Sequence, residues 1–144
     1  MPEQDLSQYL AFLLASANRQ MRTGLINSFD DEECTEEHWR ILHVLSDEQG
    51  RSMGELAERV LMNGSALSKN IDKLVSRGLV QRAADAQDSR KVLVYISNRG
   101  LKTVARLQRQ VNAHHDSIEE TLGPRRTSQL KKLLEDFISH SQPS

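Results

Sequence analysis

Asn63-Gly64-Ser65-Ala66-Leu67-Ser68-Lys69-Asn70-Ile71-Asp72-Lys73-Leu74-Val75-Ser76-Arg77-Gly78 is the stretch on which the fold turns. An asparagine side chain can take up a free amide of the first turn, and a glycine can adopt the left-handed backbone that closes a helix, so the spacing predicts a capped helix running to Arg77. At 100° per residue, Leu67, Ile71, Leu74 and Gly78 gather on one side and must face a core. Ser65, Ser68, Lys69, Asp72, Lys73 and Ser76 take the opposite side. Short hydroxyls beside lysines suit an element that approaches base edges and phosphates closely. An amphipathic surface helix has the same pattern, so the neighbouring elements must decide. Asp72 is out of place there, because a carboxylate repels phosphate; a pairing with Lys69 or Lys73 is expected.

Immediately upstream, Ser52-Met53-Gly54-Glu55 has the form of a capping box and opens a short helix with Leu56, Ala57 and Val60 on one side. Two short helices joined by a tight turn make a helix-turn-helix candidate. Downstream the periodicity changes. Leu79-Val80-Gln81-Arg82 and Val92-Leu93-Val94-Tyr95-Ile96 read as strands, and the polar segment 84–91 between them reads as the tip of a hairpin. Arg90 and Lys91 sit at that tip, where an extended cation reaches the negative potential of a narrow minor groove. Asp88 is placed to orient the Arg90 guanidinium. A solvated loop is the plain alternative for the tip taken alone.

Charge follows the same map. The 144 residues carry a net charge of −1, yet residues 1–63 carry −7, 64–106 carry +6 and 107–144 are neutral. A basic block between acidic and neutral flanks is the footprint of a module that meets nucleic acid.

The flanks are helical. Leu6, Tyr9, Leu10, Leu13, Leu14, Ala17, Met21 and Leu25 give an amphipathic helix over 5–28, ended by the acidic run 30–33. Thr35 caps a second helix, with Glu36 and Glu37 in its first turn, that reaches about Glu48 and stops at Gly50. After Asn98 a long helix carries Leu101, Val104, Leu107, Val111, Ile118 and Leu122, and Gly123-Pro124 separates it from a last helix bearing Leu130, Leu133, Leu134, Phe137 and Ile138. The expected architecture is mainly α with a small β-hairpin wing, in the order α-α-α-α-β-β-α-α. The apolar seams at both ends exceed what a module this small can cover alone.

With these pieces in place, Asn63–Leu74 followed by Arg77-Gly78-Leu79-Val80-Gln81-Arg82 resembles the recognition helix of the MarR (multiple-antibiotic-resistance-regulator) family and its exit. Asp85–Ser97 is similar to that family's wing, with its Asp-x-Arg and a closing Leu-Thr written here as Ile96-Ser97; Gly100 follows as expected. The resemblance spans essentially the whole chain. It implies a single domain over 1–144 in which 5–30 and 98–140 are dimerisation helices and 36–97 is a winged helix-turn-helix lobe. It further implies a homodimer on a pseudo-palindromic double-stranded operator, with recognition helices in major grooves about 34 Å apart. Ser65, Ala66, Ser68, Lys69, Lys73, Ser76, Arg77, Asp88, Arg90 and Lys91 are then the candidate DNA contacts. Family members usually release DNA when a small phenolic or carboxylated aromatic molecule binds. Trp39 and Arg40, with Arg19 and His38 beside them, are the candidates for such a site, through ring stacking and bidentate carboxylate binding. Trp39 as a core residue and Arg40 as an interface salt bridge are the competing reading; Ser16 or Asn18 of the first helix could line the same pocket.

Other functions have less behind them. Cys34, Glu37, His38, His114 and His115 are metal-ligand types, but adjacent helical histidines diverge, whereas ligand pairs want a spacing of four. Redox sensing at Cys34 is opposed by acidic neighbours Glu32, Glu33 and Glu36. No phosphate loop, H-E-x-x-H, nucleophile elbow or C-x-x-C occurs, so neither an enzyme nor a cofactor is expected. A winged helix used only for protein contacts would ignore DNA. No leader or membrane span is legible, and one cysteine points to a reducing cytoplasm.

Overall fold

The computed structural model describes residues 5–29 and 34–141. A 3-10 turn at Leu6–Gln8 is followed by α1 (Leu10–Ser28), α2 (Glu36–Leu45), α3 (Met53–Val60), α4 (Gly64–Ser76), β1 (Val80–Ala84), β2 (Val92–Ile96), α5 (Asn98–Leu122) and α6 (Pro124–His140). Two compact units result, residues 1–110 and 111–144.

The first helix starts later than the apolar period suggests. Asp5 accepts from the Ser7 amide, Tyr9 takes an extended backbone, and α1 begins only at Leu10. The acidic run expected to end it lies outside the described residues. The cap at Thr35 is present but closed differently from the usual box: its hydroxyl accepts from His38 N at 3.1 Å, and its own amide donates to His38 Nδ1 at 3.3 Å. Histidine replaces the customary glutamate. At Ser52 only half the expected box forms. The hydroxyl accepts from Glu55 N at 3.1 Å, while the Glu55 carboxylate pairs instead with Arg51 at 2.9 Å and Arg59 at 3.3 Å.

α2 ends at Leu45, short of Glu48, and Glu48 rather than Gly50 takes the positive φ, 64°. Gly50 serves another purpose, since a Cβ there would lie 2.4 Å from the ring of Tyr95. α4 closes as its glycine implies: Gly78, at φ 73°, donates to Val75 O, and Leu79 N donates to Leu74 O, each at 2.9 Å. These are the two bonds of a Schellman cap.

β1 and β2 pair antiparallel with Val80 opposite Ile96 and Ala84 opposite Val92. Arg51 adds a third, one-residue edge. Its amide donates to Val94 O at 3.1 Å, and Val94 N donates to its carbonyl at 2.8 Å. The core of the first unit lies among Ile41, Leu42 and Leu45 of α2, Leu56 and Val60 of α3, and Leu67, Ile71 and Leu74 of α4, all fully buried. Each such side chain contributes about 1.5–3 kcal/mol through removal from water. Val94 and Ile96 bind the hairpin root to the same core. Of the face predicted for α4, Leu67, Ile71 and Leu74 are the buried part, while Gly78, past the helix end, is exposed.

α1 leaves Leu10, Phe12, Leu13, Leu14, Met21 and Ile26 exposed. In the second unit, α6 starts at Pro124 behind Gly123, whose φ is 92°, and exposes Leu130, Leu133, Phe137 and Ile138. Among the described residues no helix is long and apolar enough to cross a membrane.

Candidate functional site

The outward face of α4 is as the wheel places it. Ser65, Ser68, Lys69, Asp72, Lys73 and Ser76 are all exposed. Asn63 Oδ1 accepts from Ala66 N at 2.8 Å, so the helix enters this face with a satisfied first turn. Asp72 departs from expectation: it pairs with neither Lys69 nor Lys73 but with Arg82 of β1, Oδ1 to Nη2 at 2.6 Å. A strand cation reaches it across the element boundary, which no spacing within α4 reveals. The pair also fixes where the hairpin stands, with the root of β1 against the outward face of α4.

At the hairpin tip the aspartates shape the backbone. Asp85 Oδ1 accepts from Gln87 N at 3.1 Å, and Asp88 Oδ1 from Arg90 N at 3.1 Å. Both are side-chain-to-backbone turns of the kind aspartate favours. Asp88 Oδ1 also accepts from Arg90 Nε at 3.2 Å, while Arg90 stays 91% exposed. Lys91 is exposed beside it. Ser97 fastens the far end of the wing, donating to Gly78 O at 2.6 Å and accepting from Gly100 N at 3.0 Å. Gly100 is required there: a Cβ would meet Leu79 O at 2.2 Å.

Arg77 points elsewhere. It is half-buried, and its Nη1 donates to the sulfur of Cys34 at 3.4 Å. Cys34 itself is 2% exposed.

A cavity of about 500 Å³ opens between α1, α2 and the start of α4. Of the four residues put forward for an effector, His38 and Arg40 line it; Trp39 and Arg19 do not. Trp39 stacks on His43, ring centroids 5.3 Å apart, and packs against the core. Arg19 lies against shallow depressions on α1 with Thr23. Arg40 is engaged, donating to Val60 O at 3.0 Å and pairing with Glu36, which is 8% exposed. His38 Nδ1 accepts from Thr35 N, leaving Nε2 to carry the proton of the neutral ring.

Apart from Asn18, the remaining lining is not evident from the sequence. Asn18 and Arg22 of α1 face the cavity, with Arg22 paired to Glu37. A signal for them exists, since Asn18, Arg22, buried Leu25 and buried Phe29 recur at four, three and four. From α4 come Ala66, Asn70 and Lys73, one stripe at i, i+4 and i+7. Lys73 forms no ion pair among the described residues. Among those residues no three of His, Cys, Asp or Glu gather as a metal site would need.

A helix-turn-helix whose second helix shows hydroxyls and lysines outward, followed by a hairpin with an exposed arginine at its tip, is the architecture of a winged-helix DNA-binding protein. Comparison with known proteins agrees. The MarR family profile matches residues 35–91. The HTH-type transcriptional regulator FarR of Neisseria gonorrhoeae is 26% identical over 137 residues, 95% of this chain and 94% of the relative. The homoprotocatechuate degradative operon repressor of Escherichia coli is 29% identical over 105 residues, 73% and 71% of the two chains. In fold, the PcaV transcriptional regulator from Streptomyces coelicolor, solved in complex with its natural ligand, superposes with a TM-score of 0.85 at 22% identity, covering 99% of this chain and 100% of the other. From α2 to the hairpin tip the chain matches the MarR family. It is a DNA-binding transcriptional regulator of the winged helix-turn-helix type, not an enzyme.

Proposed function

We propose that the chain acts in the cytoplasm as a homodimeric repressor that covers a pseudo-palindromic operator and leaves it when a small aromatic carboxylate fills the cavity behind α4. In this reading 5–30 and 98–140 serve dimerisation, and 36–97 is the DNA-binding lobe. The exposed apolar side chains of α1 and of α6 support a second copy, because faces of this size are rarely left to water.

Ser65, Ser68, Lys69 and Ser76 meet the major groove, and Arg90 and Lys91 meet the minor groove, with Asp88 aiming Arg90. Ala66 and Lys73 stand at the border of this face and the cavity. Arg77 contributes through its hold on Cys34 more than through phosphate. The observation that carries the reading is the Asp72–Arg82 pair, which ties the outward face of α4 to the strand leading to Arg90.

The ligand class follows from the lining. Arg22 and Lys73 supply positive charge, Asn18, Asn63 and Asn70 supply amides, and Leu61, Met62 and Ala66 supply an apolar wall. Among the described residues Lys73 is the lining cation without an ion-pair partner, so a carboxylate is expected to meet it. A ligand that draws Lys73 inward takes it from the DNA face, and affinity falls by the difference in binding to the two states. The operon repressor among the relatives, named for homoprotocatechuate degradation, makes hydroxylated aromatic acids the first class to try.

The test is a mobility-shift assay on the DNA upstream of the chain's own gene, with and without a panel of hydroxyphenylacetates and hydroxybenzoates. Retarded DNA released by one member supports the reading. Retardation that no aromatic acid or its thioester reverses would reject the effector class, and no retardation would reject the operator.

A further inference from the structure

Asp72 stands on the face of α4 assigned to DNA, among Ser68, Lys69 and Ser76, and is itself exposed. A carboxylate in that position lowers affinity for every phosphate it approaches. Its contact with Arg82 gives it a use. We propose that Asp72 is a positioning residue for operator recognition: through Arg82 it sets the wing at a fixed attitude to the recognition helix, and it withholds Arg82 from indiscriminate phosphate binding. The inference rests on the DNA-binding reading above.

The hairpin is built to transmit such a constraint. Arg82 lies opposite Val94 in the β1–β2 register. Both main-chain polar groups of Val94 are given to Arg51 on the other edge, at 2.8 and 3.1 Å. The Arg82–Val94 pair is therefore of the non-hydrogen-bonded kind, where antiparallel strands come closest. Val94 is fully buried, so this level of the hairpin is anchored in the core. Arg51 is held in turn by Asp47 and by Glu55. Arg82 thus projects from the level of the wing that Val94 anchors in the core, and a bond made there bears on the direction in which the tip at 85–91 leaves. Without that bond, α4 and the wing still share a core but lose their only ion pair among the described residues, and the two groove-entering elements drift in register.

The pair also explains a charge pattern. Among the described residues Lys69 and Lys73 have no acidic partner, whereas Arg82, nearer the root, has one. Arg90 also has an aspartate beside it, but stays 91% exposed for DNA, whereas Arg82, at 36%, is held against α4 and serves geometry.

The experiment uses the full-length protein and two duplexes: one enriched from a random pool by the wild-type chain, and a scrambled duplex of the same composition. Asp72→Asn is expected to lower the ratio of selected to scrambled affinity about tenfold in a dimer with two copies, since each exposed pair is worth a few-fold. It should also steepen the salt dependence on scrambled DNA, because Arg82 becomes free to replace a counterion. Arg82→Gln should lower the same ratio while leaving the wild-type salt slope unchanged. Exchanging the charges, with Asp72→Arg and Arg82→Asp together, should restore much of the ratio, which a general loss of stability would not allow. Two results would overturn the proposal. Asp72→Asn could raise affinity for both duplexes by one common factor, marking Asp72 as a repelling charge alone. Arg82→Gln could flatten the salt slope, marking Arg82 as a phosphate contact. If the wild-type chain enriches no duplex at all, the DNA-binding reading fails first and takes this inference with it.

Discussion

One carboxylate oxygen of Asp88 accepts from both ends of Arg90, the main-chain amide at 3.1 Å and Nε at 3.2 Å. The wing tip therefore presents a guanidinium that is almost wholly exposed yet already aimed, with Nη1 and Nη2 unengaged among the described residues. Arg90→Ala should weaken operator binding by about 1–3 kcal/mol for each wing that meets the duplex. Asp88→Ala, which leaves the cation but frees its direction, should cost only a few-fold, as exposed pairs do. Anisotropy titrations of both variants check this, and equal weakening by the two would place Asp88 itself on the DNA.

On α4, Lys69 and Ser65 carry no structural duty in the core, and both are exposed. Lys69→Ala should weaken binding to all duplexes and reduce the salt slope by about one for each phosphate that the lysine neutralises, whereas Ser65→Ala should change sequence preference more than affinity. Thermal unfolding of either variant should match the wild type. Unaltered binding by both would remove this face from the interface.

Arg40 has a different prospect. Its guanidinium joins Glu36, nearly buried, to the carbonyl of Val60 at the end of α3. Arg40→Ala should lower stability by about 1–3 kcal/mol, because a shielded carboxylate is left without its partner. Denaturant titration reads this directly. A variant as stable as the wild type would show that the guanidinium is available to a ligand instead.

Most of the stretch from α3 to β2 is legible in the sequence because its signals are local. Asn63, Gly78 and the three-four spacing of Leu67, Ile71 and Leu74 specify α4 within sixteen residues, and Val92–Ile96 has a β-branched and aromatic composition that specifies its strand. What escapes is decided across elements. Gly50 looks like a helix stop until Tyr95, from a distant strand, is found against it. Asp72 looks like a partner for neighbouring lysines until Arg82 arrives from β1. Trp39 looks like a ligand platform, yet its ring turns to His43 and the core. The cavity is hardest to see, because its lining is gathered from three helices and its cations are spread from Arg22 to Lys73.

Acid should weaken the turn after α2 only below the ordinary carboxylate range. The amide of Gln49 donates to Asp47, and the Arg51 guanidinium lies beside the same carboxylate, so its pKa falls below the ordinary 3.8. A group more acidic when folded stabilises the fold above its unfolded pKa and loses that contribution as pH drops through the folded value. The difference in melting temperature between the wild type and Asp47→Asn should therefore be present at neutral pH and shrink below about pH 4. A difference that persists unchanged into stronger acid would contradict the assignment.

The central claim is that two copies of the α4–wing surface meet one duplex. The most direct measurement is a titration of the selected duplex at a series of salt concentrations, with the stoichiometry taken from the saturation point. Two chains per site are predicted, with affinity falling about a thousandfold or more between 50 and 200 mM salt, as six or more phosphate contacts require. Saturation at one chain per duplex, or an affinity indifferent to salt, would contradict it.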